Sequence, residues 1–142
     1  MTIKPPNSGA DNSFPKKLRL SGKKEISELF NDGSFFYLKP FKIYYQIKQK
    51  EIDAFPRLLI SVPKSKTPKA AHRNRIKRLI KEAFRLNKGI LFSTDQSVHL
   101  MIDKFALIYL GDRSESFGEI ETKLKKILER LNSILRNEYE SN

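Results

Sequence analysis

The chain has 142 residues and a net charge of +12, from 28 lysines and arginines against 16 acidic side chains. That length suits one domain with one buried core. The absence of cysteine excludes disulfides, thiolate metal sites and a cysteine nucleophile. No apolar run approaches the ~18 residues of a membrane helix.

The opening "MTIKPPNSGADNS" lacks the apolar centre of a signal peptide. It reads as a disordered tail over 1–13, ahead of a single domain at 14–137 and a short C-terminal tail at 138–142. The first helix is expected from Ser21 as N-cap, with Glu25 in the first turn and Ile26, Leu29 and Phe30 at helical spacing. "NDG" at 31–33 ends it, with Gly33 free to take positive φ. An edge strand at 34–38 and Pro40 precede a second strand. There Phe41, Ile43, Tyr45 and Ile47 alternate with Lys42, Tyr44, Gln46 and Lys48. "RLLISV" at 57–62 is a third strand.

Thr67-Pro68 looks like a helix start, an N-cap hydroxyl followed by proline at the first helical position. Ile76, Leu79, Ile80, Ala83 and Phe84 form the apolar stripe of that helix, which Asn87-Lys88-Gly89 closes. Residues 93–102 read as an irregular insertion, and "KFALIYLG" at 104–111 as a buried or centrally paired strand. Phe117, Ile120, Leu124, Ile127, Leu128, Leu131, Ile134 and Leu135 mark a long C-terminal helix. The expected architecture is therefore α+β, an α/β sandwich. Three helices flank one mixed sheet of about four strands, in the order α-β-β-β-α-β-α.

The charge is concentrated. Residues 64–88 hold ten basic side chains and one acid, Glu82, which is nine of the twelve net charges. Mutual repulsion destabilises such a segment unless a polyanion neutralises it. Nucleic acid fits that role best, with an anionic membrane surface second. On a helical wheel, Asn74, Arg78, Lys81 and Arg85 form one outward stripe, and Arg73 and Lys77 an adjacent one. Arginine forks suit phosphate, and a merely solvated face normally mixes signs. Tyr44, on the polar face of its strand between Lys42 and Gln46, suits a stacked single-stranded base or a cross-strand packing contact.

"RNRIKRLIKEAFR" after "ISVPKSK" resembles the signature of the bacterial ribonuclease P protein component. "FPKKLRL", then "LF" and Gly33, resemble the family's opening. The resemblance spans 14–135 and is strongest over 57–86. It implies a protein that binds a large catalytic RNA and, with it, removes the 5′ leader of precursor tRNA. In that scheme the RNA hydrolyses the phosphodiester with Mg2+, the protein has no active site of its own, and the assembly is cytoplasmic. The resemblance also implies a left-handed strand–helix–strand crossover, against the general right-handed rule.

By the same resemblance, Arg73, Asn74, Arg75, Lys77, Arg78 and Lys81, with Lys64 and Lys66 in the preceding loop, contact the catalytic RNA. Arg19, Phe30, Tyr44 and Ser61 line the leader cleft. Ile26 stands where the family often has an aromatic, and Pro63, Ser65 and Pro68 depart from its loop pattern.

Rival functions fit less well. A self-sufficient nuclease needs a general acid and base, and the two histidines, His72 and His99, lie in unrelated segments. A DNA-binding helix-turn-helix needs a helix just before the basic one, where "RLLISV" reads as a strand. A ribosomal-type structured-RNA-binding protein remains the alternative.

Overall fold

A computed structural model describes residues 16–51, 54–91, 99–111 and 115–141. The chain enters by a short 3-10 turn, Lys16–Leu18. Arg19 then bridges to Leu58, and the Leu20 amide donates to the Leu58 carbonyl at 3.0 Å. Helix α1 spans Lys23–Asp32. Strands β1 (Ser34–Leu38) and β2 (Phe41–Gln49) form a hairpin, and β3 covers Arg57–Ser61. Helix α2 spans Ala70–Asn87, β4 Leu100–Tyr109 and α3 Phe117–Ser141. The last helix therefore continues into the stretch expected as a C-terminal tail, while residues 1–13 lie outside the described residues.

The four-stranded sheet has the order β1-β2-β4-β3. β1–β2 and β2–β4 pair antiparallel, and β3–β4 pair parallel, with α2 as their crossover. The apolar "KFALIYLG" run is central, as its composition requires: Phe105, Ala106 and Leu107 are fully buried. α2 and α3 cover one face of the sheet. Ile76, Ile80 and Phe84 of α2 meet Leu124, Ile127, Leu128 and Leu131 of α3 over Phe41, Ile43, Phe105 and Tyr109. Each such side chain contributes ~1.5–3 kcal/mol on burial. α1 lies on the opposite face, packing Leu29 with Leu20 and Ala106, and with partly buried Ile26, Phe30, Tyr44 and Leu59 around them.

Several local expectations are corrected. α1 has Gly22, not Ser21, at its N-cap, without a side-chain cap. Gly33 has φ −78°, so it does not serve a left-handed turn. A Cβ there would press on the Leu29 carbonyl oxygen and sit 3.0 Å from that of Tyr45, so glycine is needed for close backbone approach. Thr67 does not cap α2, which begins at Ala70 behind Lys69. The buried Thr67 hydroxyl instead donates to the Gly111 carbonyl at 3.2 Å. The insertion expected at 93–102 is shorter at its C-terminal side, because Leu100, Met101 and Ile102 belong to β4. Its remainder up to 98 lies outside the described residues.

Candidate nucleic-acid interface

α2 is amphipathic because its branched and aromatic residues recur every third or fourth position. Burying Ile76, Ile80, Ala83 and Phe84 turns the rest of the helix outward. Asn74, Arg78 and Lys81 are exposed, as are His72, Lys64, Lys66 and Lys69, while Lys77 is half-buried. Lys64 and Lys66 sit in a turn closed by the Lys66 and Thr67 amides on the Pro63 carbonyl. Arg85 is drawn away by Glu82, whose carboxyl it holds below its ordinary value. Exposed cations at both the loop and the helix create a field that favours phosphate.

The two arginines flanking Asn74 have a second task. Arg73 donates Nη1 to the carbonyls of Thr67 at 3.1 Å and Pro68 at 2.7 Å. Arg75 donates Nη1 to the Glu115 carbonyl at 3.1 Å. The Tyr109 hydroxyl, fully buried, donates to the Glu115 carboxylate at 2.9 Å. Together with Thr67 on Gly111, these bonds tie the loop before α2 to the β4–α3 connection. These two Arg73 bonds both leave from Nη1, and a guanidinium carries five N–H donors in all.

A second surface lies on the sheet face that α1 only partly covers. Register places Phe35 beside Tyr44, Tyr44 beside Ala106, and Ala106 beside Leu59. The next row across the same face runs Tyr37, Lys42, Ile108, Ser61. Tyr44 and Ser61, both half-buried, are thus brought to one face in adjacent rows. Phe30 of α1 joins them, its ring edge-on to Tyr44 at 4.7 Å. Tyr44 packs, as one sequence reading expected, and it also borders the open face. Arg19 is exposed beside the outer edge of β3. Ile26 packs into the α1 cluster.

Three residues on this face were not singled out from the sequence: Phe35, Tyr37 and Lys42. Phe35 and Tyr37 are 54% and 56% exposed. The Lys42 ammonium lies 4.5 Å from the Phe35 ring centroid, 5.4 Å from Tyr37 and 4.8 Å from Tyr44. Its contact with Tyr44, and in lesser degree with Tyr37, raises its pKa above the ordinary lysine value. The signal was the alternation in "SFFYL": if Phe36 faces the core, its neighbours on either side face away.

The carboxylates near this face are engaged. Glu28 accepts from Lys104 at 2.7 Å, Glu25 pairs with Arg57, and Asp103 lies near Lys48 and Arg57. His99 precedes β4, whereas the loop before α2 is tied to Gly111 beyond the other end of that strand. The two histidines are therefore not assembled into one site.

A basic helix on one face of the sheet and an open aromatic surface on the other define a class, the small α+β sandwiches that present a cationic surface to a polyanion. The chain belongs to the ribonuclease P protein family, whose model, "Ribonuclease P", matches residues 14–132. It is 32% identical over 136 residues to the ribonuclease P protein component of Porphyromonas gingivalis, covering 92% of this chain and 98% of that one. In fold it is similar to the Staphylococcus aureus RNase P protein, with TM-score 0.61, 22% identity, and coverage of 80% of this chain and 94% of that one. The RNase P protein of Thermotoga maritima matches with TM-score 0.58 and 24% identity, over 79% and 96% of the two chains.

Proposed function

We propose that this chain is the protein subunit of a cytoplasmic ribonuclease P, which binds the catalytic RNA and the 5′ leader of precursor tRNA. Together they cut the leader endonucleolytically to leave the mature tRNA 5′ end. The observation that carries the reading is the pairing of two unlike surfaces in a member of this family. One is the exposed cationic arc of α2 and its loop, and the other is the aromatic sheet face beside α1.

In this reading Lys64, Lys66, Arg73, Asn74, Arg75, Lys77, Arg78 and Lys81 meet the catalytic RNA. Phosphates neutralise the cations, and Asn74 offers a neutral donor and acceptor between the two arginines. Arg19, Phe30, Tyr44 and Ser61 border the leader, with Tyr44 offering a ring for base stacking. Mg2+ is assigned to the RNA. Among the described residues no three acidic or histidine side chains converge, and Glu25, Glu28 and Asp103 already face cations. In this reading the protein's share of the reaction is binding and positioning.

The test is reconstitution. The protein is mixed with a ribonuclease P RNA at low magnesium, and precursor tRNA cleavage is followed. Restored leader removal, absent with either component alone, is expected. Binding confined to ribosomal RNA, with no restoration, would favour the ribosomal-type alternative.

A further inference from the structure

We propose that Phe35, Tyr37 and Lys42 form a second single-stranded-RNA contact on β1 and β2, taking leader nucleotides beyond those at Tyr44 and Phe30. The inference rests on the subunit reading above and extends its cleft to the edge of the sheet.

Two large rings more than half exposed on an edge strand present apolar surface that a free monomer gains nothing by exposing. α1 does not cover them: its packing partners are Leu20, Tyr44, Leu59 and Ala106. The rings are also not isolated. Phe35 meets Tyr37 edge-on at 5.9 Å and Tyr44 at 5.6 Å, so the patch is continuous with the cleft residues. Lys42 stands among all three rings and is not among the ion pairs formed between described residues.

This combination selects the occupant. A single-stranded nucleic acid offers bases with π faces and, between them, phosphates, which match rings interleaved with an ammonium. An apolar protein segment would cover the rings but desolvate Lys42 without pairing it. The length also fits. From Ser61 on β3 to Tyr37 on β1 the row crosses three inter-strand steps, about 14 Å at ~4.8 Å each. That is room for a few nucleotides of single strand.

The experiment uses holoenzyme reconstituted from the full chain and the catalytic RNA. Affinities are measured for mature tRNA and for precursor tRNAs with leaders of about two and about ten nucleotides, the longer being within reach of a single-stranded site. The Phe35→Ala/Tyr37→Ala double variant should lose about tenfold in affinity for the long leader, the scale of a lost base stack. Its affinity for the short leader and mature tRNA should stay within about twofold. Equal losses on all three substrates, or self-association of the wild-type chain that the double variant abolishes, would overturn the inference. A wild-type preference for leader-bearing substrate that the double variant keeps would overturn it alone. Wild-type holoenzyme with no leader preference would overturn the cleft reading as well. An independent probe comes from Phe35→Trp, because the chain has no tryptophan. Its emission should change with the long leader and not with the short one, and no change with the long leader would also overturn the inference.

Discussion

The Arg73 guanidinium donates to the Pro68 carbonyl at 2.7 Å, so a residue assigned to RNA also braces the loop that presents Lys64 and Lys66. Arg78, one helical turn further on, is exposed and carries no comparable bond to the loop. The two arginines should therefore separate. Arg73→Ala is expected to weaken RNA binding and to lower stability by ~1–3 kcal/mol, the scale of hydrogen bonds to a charged donor. Arg78→Ala should weaken binding by a similar factor while stability stays within about 0.5 kcal/mol. Denaturant melts of the free proteins beside filter binding to the catalytic RNA check this. Equal melts for the two variants would show that the Arg73 bonds add nothing to the fold.

Salt dependence should report how many cations meet phosphate. Five of the window's basic side chains, Lys64, Lys66, Lys69, Arg78 and Lys81, are exposed. If these five alone release counterions, the log–log salt slope is about −3.5 to −4.5, at ~0.7–0.9 per phosphate, and the half-buried Arg73, Arg75 and Lys77 steepen it if they also reach phosphate. Titrating binding across ionic strength measures it. A slope near zero would remove the electrostatic basis of the α2 assignment.

Gly33→Ala should destabilise the domain by about 1–3 kcal/mol through overpacking. The added methyl would meet the Leu29 and Tyr45 carbonyl oxygens, which are backbone and cannot swing aside, as well as the buried Leu29 Cδ1 at 3.1 Å. The cost should appear in the melting of the free protein. An unchanged midpoint would mean that the α1–β1 junction shifts freely.

Much of this architecture was legible because its pattern is local. The alternation from Phe41 to Lys48 and the Ile76–Phe84 stripe each announce a buried face over a few residues. What was missed depends on partners distant in sequence. β4 starts at Leu100 rather than Lys104 because Asp103 lies near Lys48 and Arg57, and Lys104, 3% exposed, reaches Glu28 of α1. Those charges look like strand breakers until their partners are in place. Thr67 followed by Pro68 has the form of a cap, yet its hydroxyl is taken by Gly111, 44 residues away. In the candidate interface, the cations of residues 64–88 stood out by charge density, whereas Arg19 and Lys42 did not. Phe35 and Tyr37 were not, since an exposed ring and a core ring are the same letter until the register with β2 is known.

Tyr44 is where the division of labour between the two surfaces can be tested. Its ring is edge-on to Phe30 and tilted against Phe35, so Tyr44→Ala removes packing as well as a stacking face. Tyr44→Phe keeps both and removes only the hydroxyl beside Lys42. If the ring holds a leader base, Tyr44→Ala should lower holoenzyme affinity for leader-bearing precursor tRNA by ~1–3 kcal/mol. Affinity for mature tRNA, and assembly with the catalytic RNA, which the proposed division of roles gives to α2, should be nearly unchanged. Tyr44→Phe should keep most of the leader affinity, because a base stacks on the ring rather than on the hydroxyl. The measurement compares both substrates for the wild type and the two variants, alongside thermal melts. Equal losses for leader-bearing and mature tRNA would mean that Tyr44 acts by packing α1 against the sheet, and the leader would have to be placed elsewhere on this face.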